Sequence, residues 1–178
     1  SSTARIGDSA QIIAADVSAA SVNNFIKDDI GTNMDGTAGG AITIAGIESD
    51  TDLNLTTLTV VENGASVRLN GTSADDGRIE LSAFNDIVFH ERVAFKGGGV
   101  GSGIGASSTL DAKDVVARVQ IGTSPATSDA NVLLQSSGEI ALRANSTADV
   151  TVAVSVDNYG GLTVSVADAV VEVNPTND

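Results

Sequence analysis

Cysteine and tryptophan are missing from this chain of 178 residues, and histidine and methionine occur once each. Without cysteine no disulfide can staple the fold, which excludes a small disulfide-built scaffold and suits both the cytosol and bacterial export. Aromatic residues are only 3%, one Tyr and four Phe. A compact domain usually fills its centre with large rings, so this chain needs a narrow core of stacked small and β-branched side chains. No run approaches the ~20 apolar residues of a membrane helix, so membrane insertion is not expected. No basic stretch followed by an apolar one opens the sequence, nor does an initiator Met. The expectation is a processed or excised piece of something longer. Basic residues are scarce: nine Lys and Arg face 23 Asp and Glu, for a net charge of −14. A phosphate backbone would be repelled by such a surface, which argues against nucleic acid as a partner. It suits a surface that resists self-aggregation or meets divalent cations.

What is present is apolar enough to fold. Hydrophobic residues make up 42% of the chain and fall in short alternating runs, a pattern of half-buried strands rather than of disorder. Residues 93–122 read VAFKGGGVGSGIGASSTLDAKDVVARVQIG, and glycine takes every second place at Gly97, Gly99, Gly101, Gly103 and Gly105. A period of two is a strand period, so one face of this strand carries no side chain. Another backbone or layer is expected to approach that bare face. On that reasoning Gly101→Val should overpack and destabilise the fold.

Phrases recur along the chain. Gly40-Ala41-Ile42-Thr43-Ile44 returns as Gly77-Arg78-Ile79-Glu80-Leu81 and again as Gly138-Glu139-Ile140-Ala141-Leu142, and an aspartate at Asp52, Asp86 or Asp149 opens a further strand after each. The ARIG of residues 4–7 likewise returns as ARVQIG at 117–122. Turn signals such as Asn63-Gly64, Asn70-Gly71 and Asp76-Gly77 separate the strands. Val115 to Ile121 is β-branched and reads as strand. Residues 14–39 lose the alternation and are expected to form a loop or capping insertion. The fold class is all-β. A parallel β-solenoid explains the repeats and the aromatic poverty better than a sandwich or barrel. Coils of roughly twenty residues would give about eight rungs and a rod on the order of 40 Å. Its open edges invite homotypic end-to-end assembly, up to a self-assembling filament.

The glycine-rich phrase, followed by SGEIALRANSTADVTV at 137–152, resembles the repeats of large bacterial exoproteins of the filamentous-haemagglutinin and leukotoxin-like filamentous-adhesin type. The ARIGDSAQI of residues 4–12 resembles the isoleucine-glycine turn of a preceding repeat. The resemblance implies a right-handed parallel β-helix, export to the bacterial surface or beyond, and a role in adhesion or an extracellular fibre. Its implied partners are host or neighbouring-cell surfaces or their glycans. Residues 14–39 and 85–96 depart from the pattern.

One cluster has chemical variety: Asp75, Asp76, Arg78, Glu80, Asn85, Asp86, His90, Glu91 and Arg92. A functional reading makes His90, Glu91 and Arg92 an acid/base or sugar-contacting site, as in a polysaccharide lyase on a β-helix. A structural reading makes His90 a strand end beside a solvated turn, and no catalytic residue is assigned. The acidic pairs Asp28-Asp29, Asp50/Asp52 and Asp75-Asp76 offer oxygens to Ca²⁺ without matching a known calcium loop. No other cofactor is expected. The glycine run lacks the Gly-Lys-Ser/Thr end of a phosphate loop. Asn54, Asn70 and Asn145 head Asn-x-Ser/Thr sequons. Phe25 and Tyr159 are expected at coil corners, packed or free to stack on a sugar.

Overall fold

The computed structural model describes residues 1–28, 34–70, 77–122 and 131–178. Among them there is no helix, and nine strands follow one another. They are β1 (Ser2–Ile6), β2 (Gln11–Ala14), β3 (Val17–Asp28), β4 (Met34–Gly39) and β5 (Ile42–Val61), then β6 (Ser66–Leu69), β7 (Arg78–Ile121), β8 (Leu133–Gln135) and β9 (Glu139–Asn177). Every pairing is parallel. The protein is therefore all-β, built from long parallel strands.

The register shows how the chain returns on itself. Paired residues are separated by 55 positions at Ser2 with Thr57 and by 67 at Ser66 with Leu133. Most pairs lie near 60, as in Ile42 with Gly101 and Gly101 with Leu162. The chain thus makes about three long passes, each laid parallel on the one before. Ser2, Thr57, Ala117 and Asn177 stand in one column. The stack there is ~14 Å tall at the usual strand spacing. Coils of twenty residues and a rod of eight rungs are not what forms. The turn at Asn63-Gly64 is a bend within a pass rather than the end of a short coil.

Strand β7 lies in the middle, with β3, β4 and β5 on one edge and β9 on the other. Laid straight, its 44 residues would reach about 145 Å. It folds over at the glycine run instead, and its halves face each other. Val93 and Phe95 pack against Ile104 and Ala106, while Ile87 and Phe89 pack against Leu110, Ala112 and Val115. A third cluster joins Ile79 and Leu81 to Val61 and Val67. The strict alternation of side chains sends Ile79, Leu81, Ile87, Phe89 and Val93 inward and their neighbours out. The core is narrow and mostly aliphatic, with Phe89 its one fully buried ring.

The stretch expected to be a loop or cap, 14–39, instead carries β3 and β4, both paired to β7. Its inward residues include Ser21, Asn23 and Lys27, and these polar insertions hide the alternation.

The glycine run divides by function at Gly99. A Cβ at Gly97 would meet the Ile104 side chain at 2.9 Å, one at Gly98 would run into Tyr159, and one at Gly99 would land on the Gly40 carbonyl. Gly101 and Gly103 have nothing within 4 Å of that position. No layer approaches their bare face, so the overpacking expected of Gly101→Val has no atom to press on. Gly101→Val is expected to hold or raise the melting temperature, since glycine inside a strand costs about 0.5–1 kcal/mol against alanine. Gly99→Ala should lower stability by about 1–3 kcal/mol. Thermal melts of the two variants beside the parent check both.

Candidate functional site

Polar side chains enter the interior at several levels, and at two of them they form networks. At the first, Glu91 points inward from β7 with its side chain 1% exposed. One of its carboxylate oxygens accepts hydrogen bonds from the Lys27 ammonium and, at 2.8 Å, from the Ser49 hydroxyl; the other accepts from Ser108. These donors come from β3, β5 and the far wall of β7, so one carboxylate ties together both walls and two passes. Lys27 also sits 4.8 Å from the centre of the Phe89 ring, where its charge meets the negative face of the ring. Burial pushes the Glu91 carboxyl up, but the bonds from Lys27, Ser108 and Ser49 outweigh it and hold the carboxyl below its ordinary value.

At the second level an amide and hydroxyl relay crosses the stack. Asn23 donates to the Thr57 hydroxyl and to the Thr56 carbonyl, both at 2.9 Å. Thr57 donates to Asn85, whose amide donates to Ser146 at 3.4 Å, and Ser146 donates to Asn177 at 2.9 Å. Asn85 is 1% exposed, so its bonds to Thr57 and Ser146 replace ones that water can no longer supply.

His90 lies in the middle of β7, not at a strand end. It faces outward between carboxylates of the neighbouring passes: Nδ1 is 2.9 Å from Asp28 and Nε2 is 3.4 Å from Asp149. A neutral imidazole carries one N–H and an imidazolium two, so only the charged ring donates to both. Hydrogen bonds to Asp28 and then Asp149 raise its pKa above 6.5. Charged neighbours of His90 on this face of β7 include Arg92, and Asp86, which accepts a bond from Thr147 at 2.6 Å.

The variegated cluster is therefore split. His90 and Arg92 project outward and Glu91 inward, so the three do not converge. Arg78 pairs with Glu80 and, across the stack, with Glu139, and Arg143 also reaches Glu80. Asp29, Asp75 and Asp76 lie outside the described residues. Asp50 and Asp52 project from the outer face of β5. Asp52, Asp111 and Glu172 stand in one column, beside a recess of about 300 Å³. There the Lys113 ammonium lies 2.6 Å from Asp111 and 3.3 Å from Glu172, so a cation of the chain itself offsets part of the column's charge. Among the described residues no group of three or more His, Cys, Asp or Glu is placed to hold a metal ion. Asn54, Asn70 and Asn145 are all exposed. Phe25 packs in mid-strand against the Leu53 and Phe89 cluster, whereas Tyr159 is exposed at the glycine bend.

The residues that hold Glu91 and His90 escaped the sequence reading, because their partners lie 17 to 64 positions away. A second recess, about 420 Å³, opens on the outer face at Gly46, Gly105, Ser107 and Val166, between Glu48 and Asp168. No family model matches the chain, and no curated protein or solved structure matches it either.

Chemically, Glu91 is sealed from substrate and His90 is saturated by carboxylates. Both arrangements hold passes together. Lys27→Met is expected to cost about 3 kcal/mol at neutral pH, because it leaves a buried carboxylate without its counter-ion. A carboxyl held low stabilises above its unfolded value and loses that effect as pH falls through the folded one. The Lys27→Met deficit should therefore shrink below pH 4.5, which denaturant titrations across pH measure. His90 has the opposite sign: a raised pKa stabilises fully below 6.5 and fades as pH rises through the folded value. The melting-temperature loss of His90→Gln should thus be larger in mildly acidic than in mildly alkaline buffer.

Proposed function

We propose that this chain is a structural and adhesive segment of a secreted bacterial exoprotein, folded as a right-handed parallel β-helix that holds surface features at a distance from the cell. The observation that carries the reading is the register: parallel pairing at intervals of 55 to 67 residues runs through all nine strands. A scaffold of this kind gives stiffness, since each pass is hydrogen-bonded along its length to the next. The polar groups support the same reading, because they bridge passes instead of lining a common cleft. The resemblance of residues 93–122 and 137–152 to filamentous-adhesin repeats supplies export and adhesion.

Beads coated with the folded chain are expected to be retained on epithelial cells or on a glycan array, and heat-unfolded chain should lose that retention. The viscosity of acidic polysaccharides should stay constant in its presence. Beads that wash off every surface, or a falling viscosity, would overturn the reading.

A further inference from the structure

The bare glycines of β7 form the floor of a trough on the outer face. Gly101 and Gly103 lie between Ile42 and Ile44 on β5 and Leu162 and Val164 on β9, in register across the three strands. The four flanking side chains are 82%, 89%, 75% and 62% exposed. A Cβ at either glycine would meet nothing within 4 Å. The floor runs ~13 Å along the strand from Gly101 to Gly105, and the flanking backbones stand ~10 Å apart. Aliphatic groups left in water around an open floor mark a contact surface.

The end of the trough sets the sign of what fits. Two positions beyond Gly105, Ser107 lies between Glu48 and Asp168 in register, at the mouth of the 420 Å³ recess. Among the described residues neither carboxylate has an ion-pair partner. A second copy is a poor occupant: its net charge is also −14. The floor, on the order of 130 Å², is also far below the ~800 Å² each partner buries in a stable dimer.

We propose that this trough binds a short cationic amphipathic segment of a partner protein. Its aliphatic side chains lie on Gly101 and Gly103 between the two ridges, and its Lys or Arg sits between Glu48 and Asp168. The site depends on the outer faces of β5, β7 and β9 alone, so it stands whether or not the chain works as an adhesive scaffold.

The probe is a hexapeptide of three lysines followed by three leucines, titrated into the ¹⁵N-labelled protein and followed by amide shifts. Shifts are expected at Gly101, Gly103, Gly105 and Ser107, and not around His90. A peptide with serines in place of the leucines should bind about tenfold or more weakly, because the apolar burial is lost. Gly103→Leu, which fills open space, should weaken the leucine peptide to a similar degree while leaving the other amide shifts in place. The Glu48→Gln/Asp168→Asn double variant should weaken it too and flatten its salt dependence. Shifts spread over the whole acidic surface, equal binding of the serine peptide, undiminished binding to both variants, or no binding at all would each overturn the proposal.

Discussion

Parallel pairing at long sequence separation is the constraint on which the rest depends. A parallel strand cannot reach its neighbour through a tight hairpin, and here the return path is a whole pass of about 60 residues (Thr43 to Ser102, for example). Almost no stabilising contact is local, so each pass must be ordered before the next can lie on it. The middle pass gains most from this arrangement. Strand β7 has a partner along both edges and contains most of the fully buried side chains, whereas β9 is largely exposed along its second half. Stability is graded outward from β7, and the ridges of the trough stand on the two outer passes.

A continuous ladder makes register a problem, because a slip by one residue turns every side chain to the other face. Aliphatic columns resist that slip only through burial, and Val, Ile and Leu are nearly interchangeable in such a core. Glu91 is not interchangeable. Its three donors are Lys27, Ser49 and Ser108, and a one-residue slip of β3 and β5 along β7 would turn Lys27 and Ser49 away and leave the carboxylate in the aliphatic interior without its counter-ion. The Asn23, Thr57, Asn85, Ser146 and Asn177 relay does the same at a second level and reaches the third pass. Two polar levels in a narrow core fix the register in a way that hydrophobic area alone does not.

Much of the fold was legible because alternation is a local property. The β class, the strand reading of Val115 to Ile121 and the pairing of the Gly77 and Gly138 phrases follow from it, and Arg78 does stand beside Glu139. Ile6 and Ile121 also share a column, with Val61 between them. The misreadings come from information that is not local. Gly40 opens a phrase like the other two, yet Ile42 pairs with Gly101 rather than with Ile79. Asp86 and Asp149 look equivalent, but Asp149 pairs with Val88; that two-residue offset brings its carboxylate to His90. Residues 14–39 read as a loop because polar groups that fix register interrupt their inward apolar positions, at Ser21, Asn23 and Lys27. The trough was half legible: the bare glycines were evident, but only pairing across 59 and 61 positions supplies its ridges, Ile42 and Leu162.

The same geometry explains why the repeats are imperfect. In a parallel stack, identical passes would set identical side chains one above another at ~4.8 Å, and every acidic position would face its own copy. With 23 acidic residues, faithful repetition would charge each outer column against itself. The chain breaks the repetition where charges occur. Arg78 stands beside Glu139, Asp28 beside His90, and Arg118 reaches Asp178. Where three acids do stack, at Asp52, Asp111 and Glu172, the register shifts within the next few residues and Lys113 turns onto the column. The carboxylates of Glu48 and Asp168 are separated by Ser107 and by two strand spacings, so their repulsion is mild and a cation from outside can complete the pattern. Outer columns that hold a cation of the chain itself serve to bind the passes together, and carboxylates left without one beside an apolar trough have charge to offer a partner.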